Sequence, residues 1–527
     1  MQANKYLPHA LLALLIALYG LGIIWGSDFS VIDDHTLSVF TLMHHPIPFF
    51  IAPEIGRFYP LNAQEWNLIA PIFGTTPKVF YIFNALMMVL VSLCVLAILR
   101  LWLPLRSGFV YLFALFVLLI SPNFATAFLR LFVPEKMEIV FLSLFMLSYT
   151  LFCHKQKPIY ACIGVLMGFI AMFYKETAFI LIGVFALFHF LFAYKTSSKA
   201  SKIFDISLLF VSAIWLCIYL GIIWSAKNNS SFYGASPLDT LTTLAKVTFS
   251  YIFDPIILIA PLSFISLKLW LVLKNKASFH PVFDAALIAG LVFMFAYLKL
   301  GIANYHYPLP TYIFFLVPLV AYFIEYFKYK FVKILFALCI FLYGISTLPS
   351  FIYTFAHYKF VPQNFQSTLS FLTDYTRTHN GTTIYLQGVN RASGTEVYTS
   401  FIRWLKFYGA KDFDFASDLP IDNPLLSAPD PTSPYTLFQN NLISKPKTGD
   451  LLILTPYSDD AFYPTIKALK QKNYPLLFLA HKGWNIPKIG IKNIAKYFYN
   501  HFYPQNTIGV NHNNFGLPLY FYVYEVR

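Results

Sequence analysis

Near-continuous apolar stretches, separated by short polar connections, fill the chain up to about residue 355. A hydrocarbon core of about 30 Å takes roughly 20 helical residues to cross. The runs at 8–26, 79–99, 107–123, 138–153, 158–174, 177–194, 203–224, 251–273, 281–298, 308–326 and 331–355 approach that length. A helix satisfies its own backbone polar groups in lipid, so the pattern predicts about eleven transmembrane helices. The first run follows Lys5 and has no small-x-small cleavage site after it, so it reads as an uncleaved span.

From 356 onwards the pattern changes. Polar and Pro-containing stretches alternate with short apolar runs. Residues 383–386, 451–455, 476–479 and 519–524 read as strands, and 365–376, 398–408 and 465–472 as helices. The Pro-, Asp- and Ser-rich region 414–448 reads as loop. The fold class is therefore a polytopic α-helical membrane domain (residues 1–355) followed by a soluble C-terminal α/β domain (residues 356–527).

Composition agrees with this division. Hydrophobic residues make up 58% of the 527 and charged ones 12%, against about 25% charged in soluble domains. The five cysteines all sit in apolar runs, and no CxxC pattern occurs, so neither a disulfide framework nor a cysteine metal site is expected.

The net charge of +14 would suggest nucleic acid in a soluble protein. Here its placement points to topology, and no nucleic-acid partner is expected. Alternate connections carry Arg100 and Arg106; Lys155 and Lys157; Lys195, Lys199 and Lys202; Lys268, Lys274 and Lys276; and Lys328, Lys330 and Lys333. By the positive-inside rule these are cytoplasmic. The N-terminus is then cytoplasmic, and residues 27–78 form a long first external loop. An odd number of spans leaves the C-terminal domain on the external side.

The opposite connections mix signs. Arg57, Lys78, Arg130, Lys136, Lys175 and Lys299 fall there with Asp33, Asp34, Glu54, Glu135, Glu138 and Glu176. Charges near bilayer depth are costly and tend to be functional. Cations suit a lipid phosphate, and a carboxylate can take the proton of an acceptor hydroxyl. The plain alternative for each cation is an interfacial anchor that snorkels to the headgroups. For the adjacent acids Asp33 and Asp34 it is a solvated loop. His44-His45 lacks the partners a zinc site needs.

An acidic pair after the first span, in a long first external loop, resembles the GT-C superfamily of polyprenyl-phosphate-sugar-dependent membrane glycosyltransferases. Three more segments are similar to that superfamily: Gly56-Arg-Phe-Tyr-Pro60, Lys175-Glu176 at the start of a span, and Tyr305-His-Tyr-Pro-Leu-Pro310 before a late span. The resemblance covers the order and layout of most of the membrane region through short motifs. It implies an external or periplasmic transfer reaction at the bacterial inner membrane, with a polyprenyl-phosphate-linked sugar as donor. Asp33 or Asp34 would be the catalytic base. Arg57, Lys136 and Lys175 would hold phosphate, Glu135 would bind the acceptor substrate or a metal, and Glu176, Tyr305 and His306 would bind substrate. Inversion at the anomeric carbon is implied. Metal dependence varies across the superfamily, so no cofactor is assigned and a divalent metal is neither required nor excluded. The sugar, the acceptor and the oligomeric state are not legible.

No WWDYG-like segment occurs in the tail, which disfavours transfer to peptide asparagine. Two other readings share parts of this pattern. An O-antigen-type polymerase or ligase would use the same lipid donor, but such proteins often carry one large late external loop. A lipid-linked-substrate transporter or flippase would place charges along a midplane path between broken, paired helices.

Overall fold

The computed structural model describes residues 3–527 except 54–55, 105–107, 227–239, 301–303, 388–393, 418–440, 444, 459–461, 484–493, 496–497, 499–500 and 503–518. Its helical part comprises α1 Ala3–Ile24, α2 His35–Val39, α3 Gln64–Phe73, α4 Pro77–Trp102, α5 Gly108–Leu119, α6 Pro122–Phe128, α7 Pro134–Lys155, α8 Pro158–Tyr174, α9 Ala178–Ala193, α10 Lys199–Ala226, α11 Thr240–Tyr251, α12 Ile259–Leu273, α13 Pro281–Leu300, α14 Leu309–Tyr326, α15 Lys330–Leu342 and α16 Leu348–Thr378. Five of these helices start on a proline. Proline's fixed φ suits a first turn, and its missing N–H is not needed there.

Each predicted apolar run coincides with helix over most of its length. Among the described residues, seven helices are long and apolar enough to cross a membrane, or eight if α5 and α6, bent by 65°, form one broken span. The apolar helices α8, α9 and α12 have only 17, 16 and 15 residues, so length and composition support seven or eight spans rather than about eleven. Large apolar side chains such as Leu18, Leu86, Leu93, Phe210 and Phe341 point outward and are exposed. Only lipid can cover that much apolar surface on helices of this length, and the protein is an integral membrane protein.

Residues 27–78 are more ordered than a loop. They hold α2, a short antiparallel pair formed by β1 Ile51–Ala52 and β2 Arg57–Phe58, and α3. Glu54, one of the acids counted in this segment, lies outside the described residues. Trp66 on α3 is fully buried, edge-on to Phe80 and Phe83 at 5.0 and 5.5 Å. Leu68, Ile72 and Phe73 on the same helix are exposed. This split pattern suits a helix lying in the membrane interface.

The boundary expected at 356 falls inside a helix. α15, a π-helical turn at Tyr343–Thr347 and α16 run on as one 49-residue helix from Lys330 to Thr378. Beyond it lie β3 Thr382–Leu386, α17 Gly394–Phe407, β4 Phe413–Ser417, β5 Asn441–Ile443, β6 Leu451–Leu454, the helix Phe462–Gln471, β7 Leu476–Ala480 and β8 Phe521–Glu525. The strands form one mixed sheet in the order β5-β4-β3-β6-β8-β7. β5, β4, β3 and β6 pair in parallel, while β8 runs antiparallel to both β6 and β7. Two of these strands, β4 and β5, occupy ends of the 414–448 stretch expected to be loop. Their few residues carry little intrinsic strand signal, and pairing of β4 with β3, and of β5 with β4, supplies what propensity does not. The middle of that stretch lies outside the described residues.

The sheet layer is fastened to the first loop. Gln363 donates to the Gly26 carbonyl at 3.0 Å, Gln366 donates to the Phe29 carbonyl at 3.0 Å, and Lys359 donates to the Ile23 carbonyl. Gly26 has φ +58, a conformation glycine adopts freely, and a Cβ there would strike the Gln363 amide. Phe29 stacks on Trp404 of α17 at 5.1 Å, and His35 Nδ1 meets Ser400 Oγ at 2.9 Å. One apolar core therefore runs from α1 through the bundle to Phe521 and Val523 of β8.

Candidate active site

Several charged side chains in this bundle are buried, and their pairing decides what each can do. A buried charge is tolerable only when it is compensated. Arg57 on β2 pairs with Glu176 at 2.7 Å, Lys175 with Glu135 at 2.8 Å, Arg130 with Asp33, and Lys136 with Glu65 at 3.8 Å. Three of these pairs border a cavity of about 840 Å³ at one end of the bundle. The first loop, the α6–α7 connection, the α8–α9 break, the approach to α14, and α16 and α17 all contribute to its walls. The volume lies within the range of ordinary ligand pockets, about 300–1,000 Å³.

Asp33 occupies a half-buried corner of that wall. It sits at φ +65, and the chain folds back on it, with Thr36 N–H donating to the Asp33 carbonyl at 3.0 Å. Asp is among the few non-glycine residues that accept this left-handed conformation. The turn presents the carboxylate to Arg130, whose guanidinium lies over the Tyr358 ring at 5.8 Å. Burial raises the Asp33 carboxyl above its ordinary range; Arg130 opposes the rise and Glu135 adds to it. Its neighbour Asp34 is almost fully buried and accepts the Ser30 N–H at 2.9 Å. Burial pushes the Asp34 carboxyl up to about 7, the Ser30 N–H opposes that, and Asp33 reinforces it. Of the two candidate bases, only Asp33 lines the cavity.

Arg57, Glu135, Lys175, Tyr305 and His306 also line it. Lys175 sits in extended backbone between α8 and α9 (φ −150, ψ 121) and lies over the Tyr307 ring at 5.0 Å. The α8–α9 break places its ammonium beside Glu135 in the first turn of α7, where a carboxylate also complements the helix dipole. Burial pushes the His306 imidazole down to about 3, with Arg130 and Lys175 pushing the same way and Glu135 opposing, so it is neutral. Its Nδ1 has no hydrogen-bond partner among the described residues.

Lys136 and Glu176, expected to bind substrate, do not line the cavity. Lys136 is fully enclosed, donating to Asn84 Oδ1 at 2.8 Å and to the Leu131 carbonyl at 3.1 Å, with its ammonium 4.3 Å from the Trp66 ring centre. These contacts pin α7 to α4 and to the first loop rather than offering a charge to a ligand. Glu176 stands behind Arg57 and orients it. No group of three or more His, Cys, Asp or Glu residues gathers as a metal site among the described residues.

Wall residues not singled out from sequence as binding residues include Arg130, His357, Glu396 and Tyr457. His357 lies between the hydroxyls of Tyr353 and Tyr457, at 3.3 and 3.4 Å. Arg130 stood among the mixed charges of its connection, four residues before α7, and that position was its signal. Glu396 had none, since it joins the same cavity wall as Asp33 from more than half the chain away.

No protein-family model matches the chain, and no curated protein matches it. Solved structures do. The archaeal oligosaccharyltransferase AglB from Archaeoglobus fulgidus, in complex with an inhibitory peptide and a dolichol-phosphate, matches with a TM-score of 0.45 and 13% identity. That match covers 78% of this chain and 64% of AglB, so the chain spans less than two-thirds of AglB's length. ArnT from Cupriavidus metallidurans bound to undecaprenyl phosphate matches with a TM-score of 0.44 and 10% identity, over 90% of this chain and 96% of ArnT.

Proposed function

We propose that this chain is a membrane glycosyltransferase that moves a sugar from a polyprenyl-phosphate donor to an acceptor hydroxyl at the external, periplasmic face of the bacterial inner membrane. One observation carries the reading: a carboxylate on a left-handed turn, Asp33, opens into a large cavity at the bundle's end whose walls also hold Arg57, Arg130 and Lys175. The acceptor oxygen attacks the anomeric carbon and gives its proton to Asp33. The bond from that carbon to the phosphate oxygen breaks, and its electron pair leaves with the polyprenyl phosphate. Arg57 and Lys175 stabilise the departing negative charge, the kind of preorganised electrostatic help that is worth most in a desolvated site. A phosphate leaving group needs little protonation, so no second acid is required. A single displacement inverts the anomeric carbon. Glu135 and Glu176 hold the two cations in place, and Tyr305 and neutral His306 offer hydrogen bonds to the sugar.

The acceptor class is a glycolipid, a glycan or a protein. A transporter would need a polar path through the midplane, whereas this cavity is gathered from helix ends and connections. The test is sugar transfer by purified, reconstituted protein from a labelled polyprenyl-phosphate sugar to a membrane extract. Transfer by the natural chain and its loss in Asp33→Asn are expected. Full transfer by Asp33→Asn overturns the assigned base, and no release of the polyprenyl phosphate from any donor overturns the reaction.

A further inference from the structure

A second void, of about 20 Å³, adjoins the large cavity, and Tyr305 lines both. It forms where three helical segments lose their regular geometry. Asn123 lies just past the 65° bend between α5 and α6, Ser346 and Thr347 belong to the π-helical turn ahead of α16, and Tyr251 ends α11. All four line the void. Breaks in a helix at membrane depth are tolerated where the backbone lines a cavity, and π-helical turns gather at functional sites.

Two polar side chains on this wall are unmet. Asn123 and Thr347 are 1% and 3% exposed. Asn123 gives its Nδ2 N–H to Asp254 Oδ2 at 3.0 Å, so its oxygen is the group it has left to offer. Asn123 Oδ1 and Thr347 Oγ1 have no hydrogen-bond partner among the described residues. A buried polar atom without a partner is costly, and two of them in one void point to an occupant. The Asp254 carboxylate, which also accepts the Tyr312 hydroxyl at 2.7 Å and the Ile256 N–H at 3.2 Å, completes the wall with Ser346 and Ser350. Among the described residues no Lys, Arg or His side chain lines it. A set of oxygens that includes a carboxylate suits a hard cation.

We infer that this void is a binding site for one monovalent alkali-metal cation, held by Asn123 Oδ1, Thr347 Oγ1 and the Asp254 carboxylate. Size and charge make the choice. The void holds roughly one water-sized particle, which leaves no room for a hydration shell. Mg²⁺ keeps several of its waters, and Ca²⁺ binding strengthens with the number of charged ligands. One carboxylate among neutral oxygens balances a single positive charge. The C-terminal end of α11 carries partial negative charge and favours the same sign. Interrupted helices with exposed oxygens are also how membrane proteins commonly hold Na⁺.

The site reaches the large cavity through two helices. Thr126 follows Asn123 by three residues on α6, and Thr354 follows Thr347 by seven on α16. These spacings keep each pair on one helix face, and Thr126 and Thr354 both line the large cavity. A cation bound between Asn123 and Thr347 therefore ties α6 to α16 and steadies the wall that carries Tyr305.

The inference does not depend on the glycosyltransferase reading, and its test uses no transfer. The full-length protein in zwitterionic lipid nanodiscs is unfolded by heat in sodium or potassium chloride. N-methyl-D-glucamine chloride, whose cation is too large for the void, holds ionic strength constant, and magnesium and calcium chlorides are run alongside. The unfolding midpoint should rise with at least one alkali ion and then saturate, by about 2 °C or more, since a ligand of the folded state stabilises by mass action. Thr347→Val should lose most of that rise. In N-methyl-D-glucamine alone it should unfold no earlier than the natural chain, because an unmet hydroxyl is removed at constant shape. Asp254→Asn should lose the rise as well; if it does not accumulate folded, Thr347→Val decides. Equilibrium dialysis with radiolabelled sodium or rubidium should find one ion per natural chain. Thr347→Val should bind it at least about tenfold more weakly, the usual effect of disturbing even the groups behind a metal's ligands. A midpoint indifferent to both alkali ions overturns the site and assigns the void to a water molecule. A rise that a folded variant keeps in full, stabilisation by magnesium or calcium alone, or dialysis that finds no ion overturns it too.

Discussion

The two ends of the helix bundle carry charge in opposite ways. At one end Arg100, Lys155, Lys157, Lys195, Lys199, Lys274, Lys276, Lys328, Lys330 and Lys333 are exposed, whereas Lys268, expected among them, is buried and donates to the Tyr326 hydroxyl at 3.2 Å. At the other, Arg57, Glu135, Lys136, Lys175 and Glu176 are buried, and each has an oppositely charged partner. Water and headgroups compensate the first set, so those residues act through their number and sign. Other side chains compensate the second set, so those act through position. A lysine's role in this chain is therefore set by what surrounds its ammonium. Within the second set a further line separates Lys175, which borders the cavity, from Lys136, which is sealed behind it.

The contrast can be broken most sharply at the cavity. Asp33→Asn should reduce transfer by about a hundredfold or more, the usual contribution of a positioned general base, while the folded yield in detergent stays that of the natural chain. Lys136→Met should do the reverse. It leaves Glu65 buried without its cation, and breaking such a pair costs about 3–5 kcal/mol. The loss should appear as a lower unfolding temperature and a lower folded yield, not as a change in donor KM. Should Lys136→Met instead raise the donor KM in a stable protein, the sealed lysine would belong to the binding set.

Arg57→Gln tests the bordering cations. A charge-assisted hydrogen bond is worth about 1.5–3 kcal/mol, so the donor KM should rise at least about tenfold, and Arg57→Lys should recover only part of it because the fork geometry is lost.

Much of this was legible in the chain. The apolar runs marked the helices, because a helix in lipid needs a long, uninterrupted apolar stretch. Asp33, Arg57, Glu135, Lys175, Tyr305 and His306 were found as charges and aromatics at span ends and do share one cavity. Burial was not legible. Lys136 lies one residue from Glu135 in sequence, but the turn of about 100° between them on α7 sends one to the cavity and the other into the core. Glu396 was invisible because the other charged residues of its cavity wall, Asp33 and Arg130, lie far away in sequence, and no local pattern encodes so distant a convergence. The strands β4 and β5 were missed for the same kind of reason: β4 is supported by β3 and β5 by β4, not by their own few residues.

Smaller effects concern pH and the exposed set. Asp34 has its carboxyl pushed from the ordinary 3.8 to about 7. Its contribution to stability is complete below pH 3.8 and is lost as pH rises through about 7, where the folded protein must ionise a buried group. Asp34→Asn should therefore flatten the fall in unfolding temperature across neutral pH, provided the new amide oxygen still accepts the Ser30 N–H. At the other end, Lys276→Gln should change stability by no more than about 0.5 kcal/mol, as surface substitutions do, and should leave transfer at the natural rate. A large effect there would show that burial is the wrong criterion for dividing the two ends.

The 49-residue helix from Lys330 to Thr378 has a mechanical consequence. Because no flexible linker separates the bundle from the sheet layer along it, the two are joined like parts keyed to one shaft. Inserting a single residue after the π-helical turn would rotate everything beyond it by about 100° and advance it by about 1.5 Å. Glu396 and Ser400 would swing away from the first loop, while an insertion of about seven residues would return them near phase but two turns too far along the axis. Changes in length are thus far less tolerable here than in an ordinary interdomain connection, and the segment acts as a gauge that fixes both angle and distance between the layer and the site it closes.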